Sequence, residues 1–349
     1  MSEIKNLSGI PLTLSDTLLQ RFQKMPKAEI HVHLEGATSP ETFWNIAKKN
    51  NKKLPVKTLE EWKSFFTFKD FNHFIDVYKA AVANLSTPED YYTLLMDFIK
   101  SQAEQNIIVT EAFISLSLIP KMQHNLFLKA LKNALEEGCS KYHVSVNLIG
   151  DIAREMPETQ NDVLNLTLEG YKQGVFIGLG LGGIESGFPP KLFTTSYQKA
   201  FNEGLKLFSH AGETTGAQTI LDSVDLLNVT RIGHGIHILQ DKNILKQMKD
   251  KKIVFEVCPQ SNYATGVVKK GENHPLRQMV DAGLLCTVNS DDPAMFSTTL
   301  AHEYALLMSQ GFTWEELWQL NMNTLHASSL TPQEKKKYQL SFEAQIPKI

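Results

Sequence analysis

Two histidines near the start of the chain, His31 and His33, are separated by a single apolar residue in Ile30-His31-Val32-His33-Leu34-Glu35-Gly36. Side chains alternate faces along a β-strand, so a strand here turns both imidazoles the same way on an otherwise apolar surface. Buried there, they need hydrogen-bond partners or a metal ion. His-x-His alone is as compatible with two hydrogen-bonded core histidines as with a metal site, so the decision rests on further ligands elsewhere. His210, in His210-Ala211-Gly212-Glu213, and Asp291, in Asn289-Ser290-Asp291-Asp292-Pro293, are the candidates. Three imidazoles and one carboxylate suit a catalytic divalent metal, most simply zinc. Such an ion lowers the pKa of bound water from about 15.7 to about 7, which makes hydroxide available at neutral pH. Hydrolysis also needs a proton donor for the leaving group or ring. Glu213 is placed for this just past His210, with Ala211 and Gly212 leaving the chain room to turn. His234, in Gly233-His234-Gly235, is placed to orient the water or take its proton, and Asp292 to face the substrate rather than the metal.

Singly, these motifs have plainer readings: Asp291-Asp292-Pro293 as a turn, and Gly233-His234-Gly235 as a loop around a core histidine. The other histidines, His73, His124, His143, His237, His274, His302 and His326, have no comparable placement and read as structural or solvated. Two rival metal motifs are missing. There is no His-Glu-x-x-His helix of the zincin proteases. Nor is there a Cys-x-x-Cys with His-x-Glu, as in zinc cytidine deaminases.

What would bring such distant residues together is the order of elements. Ser39 followed by Pro40 is a helix start after the first strand, a capping hydroxyl and then proline at the first helical position. From residue 90 onward helical and strand patterns alternate. Helices are expected over 90–105, 126–137 (ending at Gly138), 161–173, 195–203, 219–227, 243–249 and 274–282. Strands are expected over 107–113, 144–149, 175–179 (with a glycine-rich exit), 205–210, 230–234, 253–258 and 285–290. With the first strand this makes eight βα units, which points to a parallel (β/α)8 TIM-type barrel in a single domain spanning 1–349. No strand–Gly-x-Gly-x-x-Gly–helix unit favours a dinucleotide fold instead. In this arrangement His31, His33, Glu111, His210, His234, Ser290 and Asp291 all fall at or just past strand C-termini, the face on which barrel active sites lie. The segment 52–78, with Trp62, Phe65, Phe66, Phe68, Phe71 and Phe74 among charges, is an aromatic-rich helical insertion. It reads either as a small cluster of its own or as a flap over the pocket.

Composition narrows the partners. The formal charge is −3 with no basic run, so nucleic-acid binding is not suggested. The three scattered cysteines argue for a reducing compartment without a disulfide framework. No apolar run near the N-terminus has the flanks of a signal peptide, and no stretch is long enough for a transmembrane helix. The expectation is a soluble cytoplasmic enzyme acting on a small molecule.

The motifs His31-Val32-His33-Leu34-Glu35-Gly36, His210-Ala211-Gly212-Glu213, Arg231-Ile232-Gly233-His234-Gly235, Cys258-Pro259-Gln260-Ser261-Asn262 and Asn289-Ser290-Asp291-Asp292-Pro293, in this order, resemble the adenosine deaminase family of the amidohydrolase superfamily. The resemblance runs from about residue 25 to about 343. It implies one zinc ion per chain, held by His31, His33, His210 and Asp291. It also implies that Glu213 shares a proton with purine N1, that His234 assists hydroxide attack at C6, and that Asp292 bonds N7. The Gly183 N–H would meet N3, and His33 and Glu35 would border the substrate. The implied reaction converts a 6-aminopurine nucleoside to the 6-oxopurine and ammonia, with a 5′-modified adenosine such as aminodeoxyfutalosine, or adenine, as alternative substrates. Two positions depart from the adenosine-type pattern. Gly180 stands where that pattern has Asp, and Glu35 where it often has Asp near the sugar; glutamate there also occurs in the adenine deaminase branch. A glycine in place of an acid predicts room for a larger 5′ substituent. Another hydrolysis on the same metal site is the second reading. A non-enzymatic barrel is the third, and it predicts a broken ligand or proton-transfer set, whereas every element is present here.

Overall fold

The computed structural model describes residues 5–12, 15–66, 68 and 70–346. Positions 67 and 69 of the insertion, and parts of both termini, therefore lie outside the described residues. The strands are β1 (Lys27–His33), β2 (Ile107–Ser115), β3 (Ser145–Ala153), β4 (Phe176–Gly182), β5 (Lys206–Ala211), β6 (Arg231–His234), β7 (Val254–Val257) and β8 (Leu285–Val288). They lie side by side in chain order, each parallel to the next. Just past β8 the chain returns to β1: the Asp291 N–H donates to His31 O at 3.2 Å, and the His33 N–H donates to Asp291 O at 2.8 Å. This bridge closes the ring and gives the (β/α)8 barrel that the alternation implies. At the opposite end of β1, Asn321 of the helix Trp314–Ala327 bonds Pro26 O and the Ala28 N–H, plugging the barrel floor. Phe113, Ile149 and Phe208 fill the interior between that floor and the histidines.

The helix Pro40–Lys49 starts as expected, with the Ser39 hydroxyl accepting the Thr42 N–H and Pro40 in the first turn. The two helices of the insertion pack differently. The helix Leu59–Phe65 buries Trp62 against Phe65 and Phe66, with stacked and edge-on rings 5.3 and 5.2 Å apart. The next helix, Phe71–Val82, instead turns Phe71, Phe74, Ile75 and Tyr78 to the mouth of the barrel.

Three expected boundaries are corrected. The helix expected to end at Gly138 runs on as His124–Tyr142. Gly138 is there because a Cβ would come within 2.7 Å of Ile99 Cδ1 on the neighbouring helix, so it marks close packing rather than a stop. β4 continues through its glycines, since Gly178, Gly180 and Gly182 face one way and each yields room to a side chain or carbonyl of an adjacent strand. β3 extends to Ala153 and so carries Asp151 within the strand. Among the described residues no helix is long and apolar enough to cross a membrane, and all three cysteines are free.

Candidate metal and active site

β1 delivers His31 and His33 to one point, as period two requires, and β5 delivers His210 beside them. The ligand atoms of His31, His33, His210 and Asp291 all lie within 4.8 Å of one another, and every one of these residues is buried. Two of the three rings are held by their far nitrogens. His31 Nδ1 lies 2.8 Å from Glu256 Oε2, and His210 Nδ1 lies 3.1 Å from Leu181 O. Such partners fix ring orientation and leave Nε2 facing the centre. His31 Nε2 is buried with no hydrogen-bond partner, and His33 Nε2 and His210 Nε2 face each other at 3.2 Å. Asp291 Oδ1 lies 3.5 Å from His31 Nε2 and 3.4 Å from His33 Nε2. Burial alone would lower the His31 pKa, but hydrogen bonds and charge from Asp291 and Glu256 outweigh it and raise it to about 10, whereas burial takes His33 down to about 4. The centre is thus a seat for positive charge ringed by nitrogen lone pairs, and this donor set fits a divalent ion.

Behind His31 stands a buried ionic chain. Arg231, the first residue of β6, bonds Glu256 through Nε and Glu111 Oε2 through Nη1 at 2.6 Å, and reaches Ile30 O through Nη2 at 3.2 Å. Glu111 therefore does not belong to the active face. It sits mid-way along β2, and its other oxygen takes the Ser329 N–H. Ser290 is likewise turned away, with its N–H and hydroxyl both on Glu29 Oε1 at 2.8 and 2.6 Å. Both fall on or after strands, but their side chains point to the barrel floor or wall, a direction that a strand assignment good to a residue or two does not fix.

Glu213 enters from the turn after β5, where Gly212 takes φ +65° and a Cβ would meet the Ile220 side chain at 2.5 Å. The Glu185 carboxylate holds this turn. It accepts the N–H groups of Gly212, Glu213 and Thr214 at 2.8, 2.9 and 2.7 Å, and the Thr215 hydroxyl at 2.7 Å. Burial opposes its ionisation, but the buried Arg154 guanidinium and these donors keep it below the usual carboxylate range. Arg154 also bonds His210 O and donates to Phe188 O at 2.9 Å. Sequence reasoning missed Glu185. It is an isolated acid after a glycine run, and only its spatial neighbours reveal it.

The Glu213 carboxyl is pushed well above the usual range by burial, with the Asp291 and Glu185 charges adding to it. Its surroundings therefore favour the protonated carboxyl over the carboxylate. Asp292 is raised likewise, first by burial and then by Asp291, and its Oδ1 is buried without a partner. A Cβ at position 36 would overlap that carboxylate, so Gly36 is what lets Asp292 reach the site. Gly36→Ala is expected to cut kcat/KM by about 10²-fold by displacing Asp292, as a misplacement near 1 Å does. Parallel melting curves check that the fold survives. His234 Nε2 lies 3.7 Å from Glu213 Oε2 and 3.8 Å from Asp291 Oδ2. His234 and Asp291 both have left-handed backbones, φ +60° and +63°, a conformation that non-glycine residues adopt at a cost and usually at functional sites.

These groups line one wall of a pocket at the mouth of the barrel. Gly183 borders it with φ +85°. The opposite wall is Phe71, Phe74, Ile75 and Tyr78 of the insertion, with Leu118. Glu35 is not part of the lining. Its carboxylate is fully buried behind that wall, taking the Ser115 N–H at 3.0 Å and the Tyr78 hydroxyl at 3.1 Å, and burial raises it to about 7. The space predicted at Gly180 is also absent. Asp151, its register partner on β3, fills it, and a Cβ on Gly180 would sit 2.5 Å from Asp151 Oδ1. One histidine set aside by sequence, His274, is buried in the site's hydrogen-bond network. It lies outside any strand, so periodicity gives no sign of it.

Residues 26–342 match the family model described as adenosine deaminase. A protein of Chlorobium phaeobacteroides named adenine deaminase is 34% identical over 319 residues, covering 90% of this chain and 94% of its own. One of Psychrobacter cryohalolentis with the same name is 30% identical over 325 residues, 92% of this chain and 97% of its own. Among solved structures, an adenine deaminase from Arthrobacter aurescens superposes with a TM-score of 0.86 at 29% identity, covering 92% of this chain and 99% of its own. An amidohydrolase from Burkholderia ambifaria with bound Zn shares the fold, with a TM-score of 0.88 at 22% identity over 99% of this chain and 96% of its own. A family match over nearly the whole barrel, together with relatives of full length, places the chain in the adenosine deaminase family of hydrolytic deaminases.

Proposed function

We propose that the protein hydrolyses the free base adenine to the 6-oxopurine and ammonia, with one zinc ion held by His31, His33, His210 and Asp291. The observation that carries the reaction is the buried Glu213 carboxyl set 3.7 Å from His234 Nε2 at the edge of the four-ligand centre, where burial favours its protonated form. The ion supplies hydroxide at neutral pH. Glu213 gives its proton to ring N1, which draws electrons from C6 and opens it to the oxygen. Asp292, kept protonated by burial, donates to the N7 lone pair, as carboxylic acids held neutral in apolar sites do. The Gly183 N–H meets N3, and the departing amino group takes a proton and leaves as ammonia.

Two features favour the base over the nucleoside of the sequence reading. The relatives that cover the chain are named adenine deaminase. In addition, Glu35, the acid nearest a sugar in the resemblance, is already engaged by Tyr78 and Ser115, and Asp151 fills the space beside Gly180 where room for a 5′ substituent was expected. An ultraviolet assay of adenine, adenosine, 2′-deoxyadenosine and 5′-methylthioadenosine, run alongside elemental analysis, tests this. The expectation is one zinc per chain and a kcat/KM for adenine at least about 10²-fold above any nucleoside, the scale of discrimination a shaped pocket gives. Equal or faster turnover of a nucleoside would return the assignment to the nucleoside class.

A further inference from the structure

His274 lies well away in sequence from the strands that carry the site, yet it is joined to His234 through one side chain. The Leu276 N–H approaches His274 Nδ1 at 3.1 Å. A backbone N–H can only donate, so this nitrogen holds a lone pair. The ring is buried, and burial takes its pKa down to about 3, so it is neutral and its proton is on Nε2. His274 Nε2 is 3.0 Å from Asn262 Oδ1. That contact fixes which way the amide faces: its carbonyl accepts from His274, and its NH₂ stands 3.3 Å from His234 Nδ1. His234 Nδ1 must then accept, and the proton of the neutral ring is left on Nε2, the nitrogen that faces Glu213 and Asp291. Every donor and acceptor in this row follows from one backbone N–H, with no free choice of tautomer.

We propose that His274 is a positioning residue that, through Asn262, locks His234 in the Nε2–H tautomer, so that His234 presents a hydrogen-bond donor to the attacking oxygen and does not serve as its base. To accept a proton at Nε2, His234 would have to carry its hydrogen on Nδ1, directly against the Asn262 NH₂. Turning the amide to relieve that clash would set its NH₂ against the His274 Nε2–H. Either arrangement places two donors face to face inside a buried row, which leaves polar hydrogens unpaired. Having given its own proton to N1, the Glu213 carboxylate then takes the proton of the oxygen added at C6 and passes it to the leaving amine, so all of these transfers run through one carboxylate. This inference rests on the reading of His234 as the residue that faces the attacked carbon.

The test is long-range ¹H–¹⁵N NMR of the imidazole rings in the full-length, zinc-loaded protein, with His234→Asn supplying the assignment. The wild type is expected to show His234 as the Nε2–H tautomer. Asn262→Asp keeps the shape but offers only acceptors, and is expected to pull the proton to His234 Nδ1 and to lower kcat about 10- to 100-fold, the range found for changes behind a functional group, with zinc content and KM little altered. His274→Phe removes the donor and is expected to give mixed tautomers and a similar loss, while His274→Gln, whose amide N–H reaches the Nε2 position, restores most of the rate. A wild-type His234 protonated on Nδ1, or an unchanged tautomer and rate in Asn262→Asp, would overturn the proposal. If the tautomer shifts as expected but His234→Asn retains wild-type kcat, the lock is real and the catalytic reading of His234 is what fails.

Discussion

Glu213→Gln should lower kcat by about 10²- to 10⁴-fold, the span typical of a lost general acid, while zinc content and KM stay close to wild type. Glutamine matches glutamate in size, and its N–H still hydrogen-bonds a ring nitrogen. What it cannot do is hand over a proton. The turn that carries the side chain is held by Glu185 through backbone N–H groups, so the substitution leaves the loop in place. Nor does Glu213 belong to the four-ligand set. Elemental analysis beside steady-state kinetics separates the outcomes. A variant with full zinc and a large loss confined to kcat supports proton transfer by Glu213, whereas one with near-normal kcat moves that role to another group.

The largest stability effect is expected at Arg231. Arg231→Met removes the cation between Glu111 and Glu256 and leaves two buried carboxylates without it, a change that costs about 3–5 kcal/mol when a buried pair is broken. Urea unfolding followed by tryptophan fluorescence measures it, and a midpoint equal to wild type would show that the ionic row contributes nothing net. The two acids should then part company. Glu256 holds His31 Nδ1, so Glu256→Gln should weaken zinc binding about 10- to 100-fold. Glu111 touches Arg231 and Ser329 but no ligand, so Glu111→Gln should lower the midpoint and leave zinc affinity alone. Competition with a chelating dye reads both.

The residues that meet at the centre were legible because each is tied to a strong local rule. His31 and His33 share a face by strand period, His210 and Asp291 follow largely apolar runs, and His234 follows the short Arg231-Ile232-Gly233 strand in its place in the β–α alternation. The supports behind them were not. Glu185, Asn262 and His274 occupy loops or a short helix, where neither spacing nor burial leaves a periodic trace. Glu111 and Ser290 were expected at the active face, but Glu111 sits mid-way along β2 on the Arg231 ion pair, below the ligands, and Ser290 is turned onto Glu29. Gly180 misled as well. A missing side chain predicts space only if no neighbour takes it, and the Asp151 carboxylate does. The engagement of Glu35 by Tyr78 and Ser115 was not legible either, because both partners come from elements distant in sequence.

The Asp291 backbone stitches the last strand to the first, and its side chain reaches the same histidines. During synthesis, His31 and His33 emerge long before residue 291 exists, so an unfinished chain offers a passing ion a two-point grip and nothing more. The four-point chelate appears only when the barrel has come full circle, a long-range closure that is slow to form. Ion capture is thus a test of completion. On the proposed zinc assignment, a misregistered or truncated barrel would lack the full ligand set, and a finished one would be fastened by the ion where the last strand meets the first, which would couple loading to final assembly.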